Sequence, residues 1–228
     1  MGLSKYKLGD LIQLEDERNA NNQYLINDVR GISIQKVFID TKADMRDVSL
    51  SPYILVKPGF FAYVTVTSRN GEKITLAHNT TDRTYIVSSS YVVFSVLKPD
   101  VLDSDYLFMY FNRPEFDRYA RFNSWGSARE TFDWETLCNI DIELPNLSTQ
   151  QKYVDIYNAM VSNQQAYERG LEDLKVALDA QIDKIKHSAP RMRIGSILDE
   201  VDNRNSEGVI KNVQGINISK QFMPSVAD

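Results

Sequence analysis

Residues 148–187, STQQKYVDIYNAMVSNQQAYERGLEDLKVALDAQIDKIKH, decide the architecture. Ser148 and Gln151 have the spacing of a capping box, which opens a helix. Tyr157, Met160, Gln164, Tyr167, Leu171, Leu174, Leu178, Gln181 and Ile185 then follow at alternating steps of three and four, a heptad seam with two polar members. No proline intervenes before Pro190, so about 40 residues are expected to form one rod of ~60 Å. A rod of that length cannot bury its apolar stripe alone. The seam predicts pairing with another long helix, Gln164 and Gln181 fixing the register at some cost in stability.

Working outward, the segments on either side of the helix match each other. Leu8–Ala20 (LGDLIQLEDERNA) aligns with Ile194–Ser206 (IGSILDEVDNRNS), and Val29–Asp44 (VRGISIQKVFIDTKAD) aligns with Val213–Asp228 (VQGINISKQFMPSVAD). Twelve of these 29 positions are identical, where average residue usage gives roughly two. The identical pairs include Gly9 with Gly195, Arg18 with Arg204, Asn19 with Asn205, Gly31 with Gly215, Lys36 with Lys220 and Phe38 with Phe222. Paired glycines suggest a reused backbone turn. The chain thus reads as one unit and the start of another: residues 1–146 a globular domain, 147–189 the long spacer helix, and 190–228 an equivalent of 6–44. A parent with two whole units would have about 370 residues, twice the offset of the repeat.

Between the repeated segments the pattern is first β and then α. Phe60–Ser68 (FFAYVTVTS) and Lys73–Asn79 flank Asn70-Gly71, a strong hairpin signal, and Ser88–Val96 adds a further strand. From Asp103 to about Asn123 the pattern is helical, with Asp103 or Ser104 as cap and a break near Pro114. The expected fold class is α+β, a domain with a twisted β-sheet and flanking helices followed by one long coiled-coil helix.

Composition excludes several classes. The 228 residues are 43% hydrophobic and 25% charged, with 10 Gly and 7 Pro, enough apolar mass for a folded core. One cysteine, Cys138, leaves neither an internal disulfide nor a structural zinc site and suits a reducing cytoplasm. No segment has the apolar length of a membrane span. Phosphate-loop, nucleophile-elbow and HExxH motifs are missing, and only His78 and His187 could serve histidine chemistry. Asp141 and Glu143 read as flanking a strand, and His187 as a complement to the helix dipole.

The net charge of −5 hides local bias. Residues 57–98 carry Lys57, Arg69, Lys73, Arg83 and Lys98 against Glu72 and Asp82, and residues 107–129 carry Arg113, Arg118, Arg121 and Arg129 against Glu115 and Asp117. Both windows could line one face. The loop Asn123–Arg129 combines small residues with amide, hydroxyl and guanidinium donors suited to phosphates or base edges. Arg69, Asn70, Lys73, His78, Asn79, Arg83, Trp125, Ser127 and Arg129 are the candidate DNA-binding residues. The competing reading is a coiled-coil adaptor or scaffold whose α/β head binds protein.

Three stretches carry a family resemblance: RGISIQKVFID (Arg30–Asp40), the run Asp105–Gln151 with its Gly126-Ser127-Ala128-Arg129 and Ile142-Glu143-Leu144-Pro145 motifs and Gln151 at the helix start, and the repeat. Together the chain resembles the specificity subunits of type I restriction-modification systems. The resemblance implies a non-catalytic protein in which each recognition domain reads one half of a bipartite site in double-stranded DNA, while long helices set the spacing. It also implies docking of a modification subunit that methylates adenine with S-adenosylmethionine, and of a restriction subunit that uses ATP and magnesium. No cofactor is expected on this chain. With one complete recognition domain, the expectation is a half-site reader or a homodimer through the long helix that reads a symmetric interrupted site.

Overall fold

The computed structural model describes residues 2–68, 73–127, 129–209, 211, 214–216 and 218–224. In chain order the elements are β1 (Ser4–Lys7), β2 (Ile12–Glu15), β3 (Arg30–Ile32), β4 (Phe38–Asp40), β5 (Ile54–Val56), β6 (Phe61–Val64), β7 (Leu76–His78), β8 (Tyr85–Val87) and β9 (Tyr91–Val96). Then come α1 (Ser104–Phe111), α2 (Pro114–Phe122), α3 (Trp134–Cys138), β10 (Asp141–Leu144), α4 (Leu147–Ser188), β11 (Gln214–Ile216) and β12 (Phe222–Pro224). By its contacts the chain divides into two units, Met1–Glu168 and Arg169–Asp228.

The first unit is a mixed α and β body. Its central sheet has the order β2-β9-β6-β7, with all neighbours antiparallel, and two-stranded ribbons β1-β10, β3-β4 and β5-β8 surround it. Phe61, Tyr63 and Phe94 point to one face, where they meet Leu107, Phe111 and Phe116 of the helices. Ala62 and Val93 point to the other, against Ile54, Val56 and Val87 of the β5-β8 ribbon. Cover on both faces explains why FFAYV is continuously apolar instead of alternating. Phe61 stacks on Phe94 with ring centroids 4.9 Å apart, and Phe111 meets Phe94 edge-on at 6.1 Å.

Local signals set the helix ends. The Asp103 carboxylate accepts from the Tyr106 N–H at 2.9 Å and caps α1, and Pro114 opens α2 at its first position. The opening of α4 differs from the capping-box expectation. Asn146 is the cap, its Oδ1 accepting from the Thr149 N–H at 2.9 Å, so the helix begins at Leu147 and Ser148 lies inside it. Asp141 and Glu143 do not flank a strand but sit within β10, paired with Lys7 at 2.8 Å and Lys5 at 3.1 Å on β1.

In the second unit, residues 194–196 form a 3-10 turn and β11-β12 a hairpin. At the offsets of the sequence repeat these correspond to the turn Leu8–Asp10 and the β3-β4 hairpin, whose register is the same. The Asp16–Arg18 ion pair (2.5 Å) has its counterpart in Asp202–Arg204 (3.1 Å). Left-handed backbone recurs at Asn22 and Gly208 (φ 49° and 62°) and at Lys36 and Lys220 (φ 62° and 60°). One glycine pair, Gly9 and Gly195, lies in a reused 3-10 turn, whereas Gly31 and Gly215 are strand residues.

Gly9 is glycine for reasons of space. A Cβ there would lie 2.8 Å from the Cys138 Cβ and 3.2 Å from the Cys138 carbonyl oxygen, and backbone can yield little. Gly9→Ala is expected to lose about 1–3 kcal/mol by overpacking the junction with α3. Urea unfolding monitored by circular dichroism checks this.

Candidate nucleic-acid interface

Residues 65–67, at the start of the β6-β7 connection, are bonded to the segment 130–132 after α2. Val64 makes the last bond to the β7 side, its N–H donating to the Thr75 carbonyl at 2.9 Å. Beyond it the chain changes partner. Phe132 N–H donates to Thr65 O at 2.8 Å, Thr67 N–H to Glu130 O at 3.0 Å, and Val66 bridges Thr131 antiparallel. Thr131 also closes the loop on itself, exchanging bonds of 3.1 and 2.9 Å with Trp125. The expected strand Phe60–Ser68 is thus β6 followed by a short ladder with residues 130–132.

Inside the loop, Gly126 has φ +142°, and a Cβ there would lie 2.2 Å from the Arg129 carbonyl oxygen. Only glycine fits. Ser124 is buried and returns its hydroxyl to the Ala120 carbonyl at 2.6 Å, fastening the loop to the end of α2. Trp125 is 69% exposed, Ser127 and Arg129 are exposed, and Lys73 is exposed at the exit of the β6-β7 connection. Arg129 and Lys73 form no ion pair with any described residue. The structure therefore leaves Trp125, Ser127 and Arg129 exposed on the loop after α2, and Lys73 exposed at the exit of the β6-β7 connection. Arg69 and Asn70 lie outside the described residues.

Phe122, 77% exposed at the last position of α2, belongs to the same segment and was missed in the sequence. A signal existed, because Phe116 and Ala120 mark the buried stripe of α2 and Phe122 falls off it. Exposed aromatics in a segment that also carries exposed cations suit nucleic-acid contacts, by stacking or by wedging between base steps.

Of the other nominated residues, His78 and Asn79 require correction. His78 is buried, stacked on Phe61 at 4.3 Å with Nδ1 3.2 Å from Asp105 Oδ1. That contact holds the Asp105 carboxyl below the usual carboxylate range against the opposing effect of partial burial. Asn79 is also buried, its Nδ2 donating to the Val56 and Arg83 carbonyls (2.9 and 2.8 Å) while Oδ1 accepts from Thr81. Burial keeps both from presenting an edge to a base. Arg83 is exposed but pairs with Asp28 at 3.3 Å, and the 79–84 connection sits at the opposite end of the β6-β7 pair from residues 65–67.

The charge windows dissolve in the same way. Lys57 pairs with Glu17, Arg118 with Glu115 (3.1 Å) and Arg121 with Glu130 (3.3 Å), while Arg113 lies over the Tyr110 ring at 4.5 Å. Among the described residues, these four cations of the two windows are therefore held by their own partners. Among the described residues no group of three or more His, Cys, Asp and Glu side chains could hold a metal ion, and no helix is long and apolar enough to cross a membrane.

The foot of α4 is locked to the body by Gln150, not by Gln151. Gln150 is fully buried; Oε1 accepts from the Asp103 N–H at 2.9 Å, and Nε2 donates to the Val101 and Pro145 carbonyls at 2.8 and 2.9 Å. Gln151 is exposed and bonds Asp155 along the helix. Further along α4, Tyr157 is half-buried, and Met160, Gln164, Tyr167, Leu171, Leu174, Leu178, Gln181 and Ile185 are exposed. Gln164 donates to Glu168 at 2.9 Å on its own helix.

Comparison with known proteins now has geometry to refer to. The family model described as "Type I restriction modification DNA specificity domain" matches residues 2–174. No curated protein matches the chain. Among solved structures, the HsdS subunit from Thermoanaerobacter tengcongensis is similar in fold, with 14% identity and TM-score 0.58 over 85% of this chain and 52% of that one. The S subunit of the type I restriction-modification system from M. genitalium shows 12% identity and TM-score 0.50, over 81% of this chain and 46% of that one. The chain spans about half the length of these subunits. With the match extending over three-quarters of its residues, the chain belongs to the family of type I restriction-modification DNA specificity domains.

Proposed function

We propose that this chain is the DNA-reading component of a type I restriction-modification complex, recognising one half of a bipartite site in duplex DNA through residues 65–68, 73–75, 122–127 and 129–131. The observation that supports this reading is the junction at Thr131, which joins Val66 to the loop after α2, a loop that leaves Trp125 and Arg129 exposed. In this reading the chain is not itself an enzyme and binds no cofactor. A modification subunit brings S-adenosylmethionine, and a restriction subunit brings ATP and magnesium.

The test is duplex binding measured across salt concentration. A protein that neutralises phosphates shows a linear fall of log K with log salt, so Arg129→Ala is expected to flatten that slope by about one unit and weaken all sequences alike. Trp125→Ala should instead relax one position of the preferred site by about 1–3 kcal/mol. Binding insensitive to salt, or unchanged in both variants, removes this surface from the account.

The seam of α4 supports a second element of the proposal, a homodimer whose twofold axis imposes an interrupted palindrome on the DNA. Sedimentation at micromolar concentration should give the dimer mass, and Leu171→Asp with Leu174→Asp the monomer mass. A monomeric parent contradicts it. The exposed seam equally fits a scaffold that binds protein, a reading that predicts no salt-sensitive duplex binding.

A further inference from the structure

One buried ion pair lies outside the proposed interface and touches every element that carries it. Lys36 sits in the three-residue loop of the β3-β4 hairpin, where its N–H donates to Ser33 O at 3.0 Å and Ser33 N–H donates to Val37 O at 3.0 Å. That loop requires left-handed backbone at its third position, normally a site for glycine or asparagine. Lysine occupies it with φ 62° and a side chain only 4% exposed. The equivalent Lys220 has the same backbone with its side chain exposed, so the hairpin conformation does not depend on burying the ammonium group.

The ammonium group joins three elements. Lys36 Nζ lies 2.8 Å from Asp117 Oδ1 and donates to the Phe111 carbonyl at 2.5 Å, one of the last, otherwise unpaired carbonyls of α1. Asp117 stands in the first turn of α2, where the helix dipole favours its charge. Its Oδ1 also accepts from the Ile74 N–H at 3.2 Å, the residue that follows Lys73 at the exit of the β6-β7 connection. One carboxylate therefore sets both the start of the helix that ends in Phe122 and the exit of the neighbouring loop. Burial holds the Lys36 ammonium below the ordinary lysine value in spite of Asp117, which marks a site where the charge is kept at a cost.

We infer that the Lys36–Asp117 pair is the positioning device of the proposed DNA interface, fixing α2 and the β6-β7 connection so that their two loops meet at Thr131. This rests on the proposed site, and the test separates the two. A charge-free substitute of similar volume, the double variant Lys36→Met with Asp117→Leu, is compared with the parent and with Lys36→Met alone. Single removal leaves a buried charge unpaired and can unfold the chain; the double variant removes both charges and leaves only the Phe111 carbonyl and the Ile74 N–H without these partners, and circular dichroism checks its fold.

Amide hydrogen exchange at Thr67, Trp125 and Thr131 reads the loop junction without DNA. In the double variant exchange at these three amides is expected to rise at least tenfold, while Phe94 in the sheet core keeps the parent rate. Unchanged exchange at all three overturns the inference, and so does a rise shared equally by Phe94, which reports only lost stability. Duplex selection on the same proteins reads the consequence. A parent that selects a sequence and a double variant that loses about tenfold in selectivity support both statements. Loosened amides in a protein whose parent selects nothing support the positioning role and contradict the site reading.

Discussion

Gly126→Ala is expected to lower duplex affinity by roughly 100-fold, equivalent to about 2.7 kcal/mol, while the melting temperature falls by only a few degrees. An alanine at φ +142° is strained, and its Cβ would meet the Arg129 carbonyl oxygen at 2.2 Å, a backbone atom held in a closed loop. The loop must open. Opening breaks the exchange of bonds between Trp125 and Thr131 and scatters Trp125, Ser127 and Arg129. The residues lost are exposed, whereas Ser124 and Phe132 at the loop's ends stay buried, so global stability changes little. Fluorescence anisotropy of a labelled duplex at fixed salt, with a thermal melt on the same sample, measures both. Affinity within threefold of the parent would place the interface elsewhere.

The second large effect is on stability. Gln150→Leu leaves the Asp103 N–H and the Val101 and Pro145 carbonyls without their partner in a buried site. With about 1–3 kcal/mol for each unsatisfied buried group and partial relaxation, the expected loss is about 3–5 kcal/mol. For a chain of this size that lowers the melting temperature by on the order of 10 °C. Gln151→Leu, one position away and exposed, is expected to stay within about 0.5 kcal/mol of the parent. Equal losses in the two variants would mean that Gln150 is not what joins α4 to the body.

These two glutamines illustrate what a sequence makes legible. The long helix and its seam follow from periodicity alone, because 3.6-residue spacing persists over many turns. Which of two adjacent polar residues faces the body depends on phase. Gln150, Val154 and Tyr157 form the inward stripe at steps of four and three, and the helix begins two residues earlier than the capping box at Ser148 suggested because Asn146 takes the capping role.

The DNA-facing candidates divide along a similar line. The exposure of Trp125, Ser127 and Arg129 was legible because a glycine-bearing polar loop signals it. His78 was misread because its polarity outweighed its parity: it alternates with Leu76 on β7 and shares that strand's inward face. The basic windows failed for a different reason. The acids that neutralise Lys57 and Arg83 are Glu17 and Asp28, far away in sequence, so a local charge sum could not register them. Lys36 was visible as an identity within the repeat, but its partner Asp117 is 81 positions distant, and only the packing of α2 onto the β3-β4 hairpin brings them together.

The most direct test of the central claim is to incubate the purified chain, with a cognate modification subunit, with a pool of random duplexes and sequence those retained. The account predicts enrichment of a defined short sequence, as an interrupted palindrome where two copies pair through α4 and as a single half-site where one copy reads alone. Retention with no sequence enriched, in the presence of the modification subunit, would contradict it.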